Sequence, residues 1–231
     1  MEAGGTVFTG RGVRRGMVKM LAFALFVVPF GMAFGVAAVE GGMEVWAAIV
    51  MSATNFAGAS QFAVLELWSS EVPLIPLILI TFAVNARHLL MGAALAHWIR
   101  PIGWPKTVLT ATVTTDPNFA MITAERMKGE RDAGLLLGAG LTLWTAWAIG
   151  TLVGVGVGNG IGDPRAIGID VLLPAFFIAL LIGLWRGRQS AAPWLVAGLV
   201  AVLANLAIPG HWHIILGALA GGLVGAFSRG A

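Results

Sequence analysis

Apolar residues in this chain run in long blocks, at about 18–39, 45–68, 73–99, 107–123, 133–157, 167–185, 193–208 and 212–227. A helix needs about 20 mostly apolar residues to cross the ~30 Å hydrocarbon layer. The pattern therefore predicts an all-α, polytopic helical membrane protein with about 6–8 membrane segments. Two blocks are interrupted at membrane depth. Asn55-Phe56-Ala57-Gly58-Ala59-Ser60-Gln61 and Thr114-Thr115-Asp116-Pro117-Asn118 are polar and carry Gly or Pro. Broken or re-entrant segments are expected near 55–61 and 114–118. Non-helical backbone survives in lipid only where it is buried in protein or lines a cavity. Interrupted segments that occur in pairs point to a transporter's binding site. The alternative is a kinked helix around a local hydrogen-bonded polar cluster.

Composition agrees with this pattern. Hydrophobic residues make up 58% and charged ones 11%, against roughly 25% charged in soluble domains. One transmembrane domain is expected over 14–231, after a disordered cytoplasmic stretch over 1–13. The net charge is +3, but Lys and Arg gather in short loops. That is positive-inside patterning and argues against a nucleic-acid partner. With no cysteine, disulfides and thiolate chemistry drop out. With no tyrosine, Trp46, Trp68, Trp98, Trp104, Trp185, Trp194 and Trp212 anchor the run ends, while Trp144 and Trp147 read as packing residues. Arg14, Arg15 and Lys19 before Met20–Val39 resemble an export signal. The run is long for that role and contains Pro29, so an uncleaved first helix is the reading.

Charges also set an expected topology. Arg11, Arg14, Arg15 and Lys19 place the N-terminus inside, with Glu40 and Glu44 outside. Arg126, Lys128 and Arg131 then lie inside, Asn159–Arg165 outside, Arg186 and Arg188 inside, Pro209–His211 outside and Arg229 inside. If every segment spans, Arg100 and Lys106 face outward, against the rule. If 45–68 and 107–123 are re-entrant, they face inward. Glycines four residues apart (Gly31 and Gly35; Gly150, Gly154, Gly158 and Gly162; Gly217, Gly221 and Gly225) predict close helix packing. The run Gly154–Gly160 lacks the Lys-Ser/Thr of a phosphate loop.

The candidate chemistry centres on Arg87. It lies about 13 residues, roughly 20 Å, from either end of the 73–99 block. A cation there costs at least ~3 kcal/mol and needs a partner, a wet cavity or a task. Thr81, Asn85 and His88 share one helical face, and Arg87 is rotated ~200° from Asn85. Either the helix unwinds, or Arg87 braces a neighbouring segment while Asn85 and His88 face a cavity. Asp116, a carboxylate deep in a membrane block, is the candidate partner. Asp116 and His88 are both candidate proton carriers. His211 and His213 read as an interfacial loop without a metal, and no catalytic base arrangement surrounds the serines. The chain is not expected to be an enzyme or to need a cofactor.

Pro29-Phe30-Gly31, Phe34-Gly35, Phe56-Ala57-Gly58-Ala59-Ser60-Gln61-Phe62, Asn85-Ala86-Arg87-His88-Leu89-Leu90-Met91-Gly92 and Thr115-Asp116 resemble the AzlC family. These are large subunits of bacterial branched-chain amino acid exporters. The likeness runs from about Arg14 to Phe227. The family pattern usually has Glu after Thr-Asp, and Pro117 stands here instead. The resemblance implies a secondary transporter in the bacterial inner membrane, exporting branched-chain or other hydrophobic amino acids under the proton gradient. It also implies a small hydrophobic AzlD-type membrane subunit as partner. Asn55, Ser60, Gln61, Asn85, Arg87, His88, Thr115, Asp116 and Asn118 are the candidate substrate-binding or coupling residues, with Phe56, Phe62, Met91 and Phe119 as an apolar wall. A channel-like or structural subunit that depends on a partner chain is the competing reading.

Overall fold

The computed structural model of the protein describes residues 5–68, 74–160, 178, 182, 185, 187, 191–208 and 212–228. Among them are nine α-helices: α1 Gly10–Glu40, α2 Val45–Thr54, α3 Gly58–Glu66, α4 Leu74–Ile99, α5 Trp104–Thr112, α6 Asp116–Met127, α7 Gly134–Gly160, α8 Ala191–Ala207 and α9 Trp212–Ser228. Three segments, Gly10–Glu40, Leu74–Ile102 and Gly134–Gly158, are long and apolar enough to cross a bilayer. Shorter apolar helices, among them α2, α8 and most of α9, accompany these three, and the whole is an all-α helical membrane protein. The expected segment 167–185, the loops around Arg165, Arg186, Arg188 and His211, and Gly162 and Arg229 lie outside the described residues or nearly so.

α1 and α7 form the spine of the fold. Gly16 packs on Leu135 and Ala139, Gly31 on Trp147 and Gly150, and Gly35 on Thr151 and Gly154. Contacts climb in step along both helices, so the two run parallel. Their backbones touch. A Cβ on Gly138 would stand 1.9 Å from the Val13 carbonyl oxygen, and one on Gly154 2.1 Å from that of Met32. In lipid the hydrophobic effect does not press helices together, so close van der Waals contact between small residues has to. The expected glycine stripe at Gly31, Gly35, Gly150 and Gly154 is thus a packing face. Gly12, Gly16, Gly134 and Gly138 extend it to the helix starts. Gly217 and Gly221 do the same work between α8 and α9, against Ala197 and Ala201. Above the spine's midpoint Phe34 stacks on Trp147, with centroids 6.1 Å apart, and the Phe62 ring meets both edge-on.

Both broken segments fold back. Gln61 Nε2 donates to Ser52 Oγ at 3.3 Å, although nine residues of continuous helix would separate them by about 14 Å. Descending, α2 bonds Ser52 to Thr151 Oγ1 at 2.8 Å, and Trp144 Nε1 donates to the Ala53 carbonyl at 3.2 Å. α3 then returns past Trp147 through Gly58 and Phe62, and Leu65 and Trp68 rejoin the cluster that holds Met43 and Val155. The α5–α6 hairpin enters from the opposite end. Lys106 sits over the Phe8 ring at 4.9 Å, and Thr107 Oγ1 donates to the Ile99 carbonyl at 2.9 Å. At its far limb Arg126 stacks on Trp98 at 5.0 Å and Glu125 pairs with Lys19 at 3.0 Å. Arg100 and Lys106 therefore share the end that carries the start of α1, which is the re-entrant alternative. Among the described residues that end holds Arg11, Arg14, Arg15, Lys19, Arg100, Lys106, Arg126, Lys128 and Arg131, and the opposite end holds Glu40 and Glu44.

The N-terminal stretch departs from expectation. Residues 5–13 are ordered against the start of α7, and residues 1–4 lie outside the described ones. Val7 N–H donates to the Arg131 carbonyl (3.0 Å), and Ala133 N–H to the Val7 carbonyl (2.9 Å). Thr9 caps α1 by accepting from Gly12 N–H at 2.9 Å. The buried Asp132 carboxylate accepts from Thr9 N–H at 3.0 Å, from the Thr9 hydroxyl, and from Gly134 N–H at 2.9 Å. One carboxylate therefore satisfies donors at the starts of two helices, where their dipoles favour negative charge. Beside it Arg15 pairs with Glu130 at 2.7 Å. Burial alone would raise the Glu130 pKa. Hydrogen bonds from the Asp132 N–H and the Arg15 guanidinium outweigh it and hold the carboxyl below its ordinary range.

Candidate functional site

The two hairpin tips reach α4 near its middle, only two residues apart in the α4 sequence. At the first tip, Ser60 Oγ accepts from Asn85 Nδ2 at 3.2 Å and from Asn55 Nδ2 at 3.4 Å, and donates to the Ala57 carbonyl at 2.9 Å. Ser60 and Gln61 are fully buried. The helix break explains the arrangement: turning at Asn55–Ala57 brings the start of α3 under the end of α2, so short polar side chains bond one another in place of water. Two acceptors there have no hydrogen-bond partner, Gln61 Oε1 and Asn85 Oδ1.

At the second tip, Arg87 Nη1 pairs with Asp116 Oδ2 at 2.9 Å. Twelve residues, or about 18 Å of helix, separate Arg87 from the α4 C-terminus. Pro117 stands in the first turn of α6, where its missing N–H costs nothing. That position puts Asp116 at the α6 start, where the dipole favours a carboxylate. Asn118 accepts from Thr115 N–H at 2.6 Å and donates to the Val113 carbonyl at 2.8 Å. Thr115 and the fully buried Asn118 thus build the turn that presents Asp116.

α4 stays helical through Asn85–His88, so it does not unwind. Its residues divide the work instead. Asn85 holds one hairpin, Arg87 holds the other from a face rotated by about 200°, and His88 Nδ1 lies 3.2 Å from the Asn85 carbonyl of its own helix. Asp116 is more open than its place in the sequence suggested. Its side chain is 49% exposed within the chain and that of Arg87 is 31% exposed, with Arg87 Nε buried and lacking a partner. A carboxylate at the first residue of a helix after a hairpin turn sits on the rim of the turn, not beneath it. The expected apolar wall is dispersed. Phe62 is core against Phe34 and Trp147, Phe56 packs at the spine, and Phe119 joins the cluster of Leu95, Trp98 and Ile122.

Sequence reasoning missed Ser52 and Thr151, whose hydroxyls pin the first hairpin to α7. Both are single hydroxyls inside apolar runs, and such residues usually bond their own helix. Thr110, fully buried in α5 with an unpartnered hydroxyl, was missed for the same reason.

These features can be set beside known proteins. No solved structure matches the chain. Inner membrane protein YgaZ of Escherichia coli K12 is 29% identical over 226 residues, covering 94% of this chain and 91% of the relative. An uncharacterized membrane protein of Archaeoglobus fulgidus is 32% identical over 213 residues, with 91% and 93% covered, and one of Helicobacter pylori strain 26695 is 28% identical over 191 residues, with 82% of each covered. The family described as AzlC protein matches residues 22–161, a stretch that contains both hairpins, α4 and the Arg87–Asp116 pair. A helical membrane protein with that pair at the meeting of two interrupted segments, this chain belongs to the AzlC family.

Proposed function

We propose that the chain is a secondary transporter subunit that exports branched-chain or other hydrophobic amino acids, with the Arg87–Asp116 pair as its substrate centre. The observation that carries the reading is this pair, 2.9 Å apart at mid-helix depth and open enough for a ligand to reach. At rest the two charges neutralise each other. A zwitterion can part them and replace one ion pair by two, its carboxylate on Arg87 and its ammonium on Asp116. The net charge inside the membrane stays at zero throughout. A substrate with one net charge would leave an ion unpaired there, at a cost of about 3 kcal/mol or more. The unpartnered Arg87 Nε supplies a second donor for bidentate carboxylate binding.

Two hairpins that enter from opposite ends, each behind a spanning helix, give α1–α2–α3 and α4–α5–α6 inverted orientations. Such paired units suit alternating access around a fixed midplane site. The proton gradient drives export in this reading, with Asp116 or His88 carrying the proton. The basic end faces the cytoplasm of a bacterial cell, by the positive-inside rule. An AzlD-type small subunit covers the open side of the centre, where α4 exposes Leu74, Ile75, Ile78, Phe82, Leu89 and Leu90. That exposure also favours the second reading, in which flux requires the partner chain. Reconstitution with and without the small subunit, followed by counterflow of labelled valine, leucine and isoleucine at two pH values, tests both. Saturable, pH-dependent counterflow that disappears in Asp116→Asn is expected. Normal counterflow in folded Arg87→Ala and Asp116→Asn overturns the substrate assignment.

A further inference from the structure

α1 is 31 residues long, about 46 Å of helix against a hydrocarbon layer of ~30 Å. Its first turns therefore stand at headgroup level. There Arg11, Arg14, Arg15, Val18 and Lys19 line a cleft of about 350 Å³. Arg15 is paired with Glu130 and Lys19 with Glu125. Arg11 and Arg14 have no carboxylate within ion-pair distance among the described residues, so four cations less two carboxylates leave the cleft at +2. These residues share one helical face, opposite the Gly12, Gly16 and Met20 face that packs on α7. Continuing along it toward the bilayer centre are Val18, Leu21, Leu25 and Phe26, which are 61%, 55%, 74% and 71% exposed.

We propose that this face of α1 binds an anionic phospholipid. Its headgroup phosphate lies between the Arg11 and Arg14 guanidiniums, and an acyl chain follows Val18, Leu21 and Leu25. The charge argues for phosphate without a compensating ammonium. Guanidinium matches phosphate in bidentate geometry. The apolar stripe starting one turn below the cations argues for a lipid over a free anion. Basic pockets at the ends of membrane helices recognise lipid headgroups in this manner. The site is separate from the Arg87–Asp116 centre, so it stands or falls independently of the transport reading.

The test titrates the purified full chain in neutral detergent with phosphatidylglycerol, phosphatidylcholine or inorganic phosphate. Bound lipid is read by native mass spectrometry and protection by thermal shift. Wild type is expected to take up phosphatidylglycerol in preference to phosphatidylcholine, with no protection by inorganic phosphate. Arg11→Ala with Arg14→Ala should weaken the phosphatidylglycerol adduct by roughly 30-fold, since each surface cation contributes about a fivefold factor. The Lys pair Arg11→Lys with Arg14→Lys keeps the charge without the fork, so it should bind more tightly than the Ala pair and more weakly than wild type, and it shows that the fold tolerates change there. Arg100→Ala with Arg131→Ala removes the same charge from elsewhere at that end and should leave the adduct intact. Equal weakening in both Ala pairs, equal uptake of phosphatidylcholine, or full protection by inorganic phosphate alone overturns the proposal.

Discussion

Along the α1–α7 spine, backbones approach until an added carbon has nowhere to go. At the hairpin tips, buried amides are left with unpartnered oxygens and an ion pair stands half open. Both regions lie within the membrane, yet they solve opposite problems. In the spine van der Waals contact replaces hydration, and among the described residues the Trp147 indole N–H is left there without a partner. The tips give up backbone regularity to hold groups that a bilayer would otherwise exclude. The difference teaches that close packing and polar chemistry are carried by separate parts of this chain. The same substitution strategy should therefore have different effects in each.

The largest effect is expected in the spine. Gly138→Leu would drive side chain into the Val13 carbonyl and should cost about 3 kcal/mol or more through overpacking. Loss of the monodisperse peak in size-exclusion chromatography checks this. Gly156→Ala meets nothing within 4 Å and should be neutral or slightly stabilising. If both behave alike, the spine is not the closely packed element described. Next comes the charged tip. Asp116→Asn strips Arg87 of its counter-charge and should lower the thermal midpoint, while counterflow falls at least about tenfold, a loss of ~1.4 kcal/mol in transition-state terms. An Asp116→Asn protein that melts as wild type and transports normally would reverse the contrast.

A smaller change is expected at the polar tip. Ser52→Ala removes the bond to Thr151 and the acceptor for Gln61, at about 1–2 kcal/mol. A double-mutant cycle with Thr151→Val should show coupling between the two. The smallest effect lies at the basic end, where Arg15–Glu130 is partly exposed and such pairs contribute at most about 1 kcal/mol. Because the folded Glu130 pKa is depressed, its contribution is present at neutral pH. It is lost as pH falls through the ordinary carboxylate range and then through the lowered folded value. Melting temperatures of wild type and Glu130→Gln should therefore differ at pH 7 and converge on acidification.

Much of the tip geometry was legible in the sequence. Asn55–Gln61 and Thr114–Asn118 could not continue as ordinary lipid-facing helix, and Arg87 needed a counter-charge that Asp116 alone could supply at that depth. The glycine spacing identified the spine, though only its deeper half. The ordered start was not legible. Thr9 and Asp132 are 123 residues apart, and neither belongs to an apolar run. Nor did the sequence tell how far the hairpin turn would open Asp116 to its surroundings, because exposure follows from Asp116 standing on the rim of the turn at the start of α6.

The parallel run of α1 and α7 has a consequence for biosynthesis. The glycine groove of α1 leaves the ribosome roughly 120 residues before its mate, about 6 to 24 seconds at 5–20 residues per second. Through that interval the first helix must be inserted and held with its narrow side unmatched, and every intervening element must settle without occupying it. Assembly of this chain is then completed by a late zippering step, and slowing translation between Glu40 and Gly134 would prolong the exposed stage.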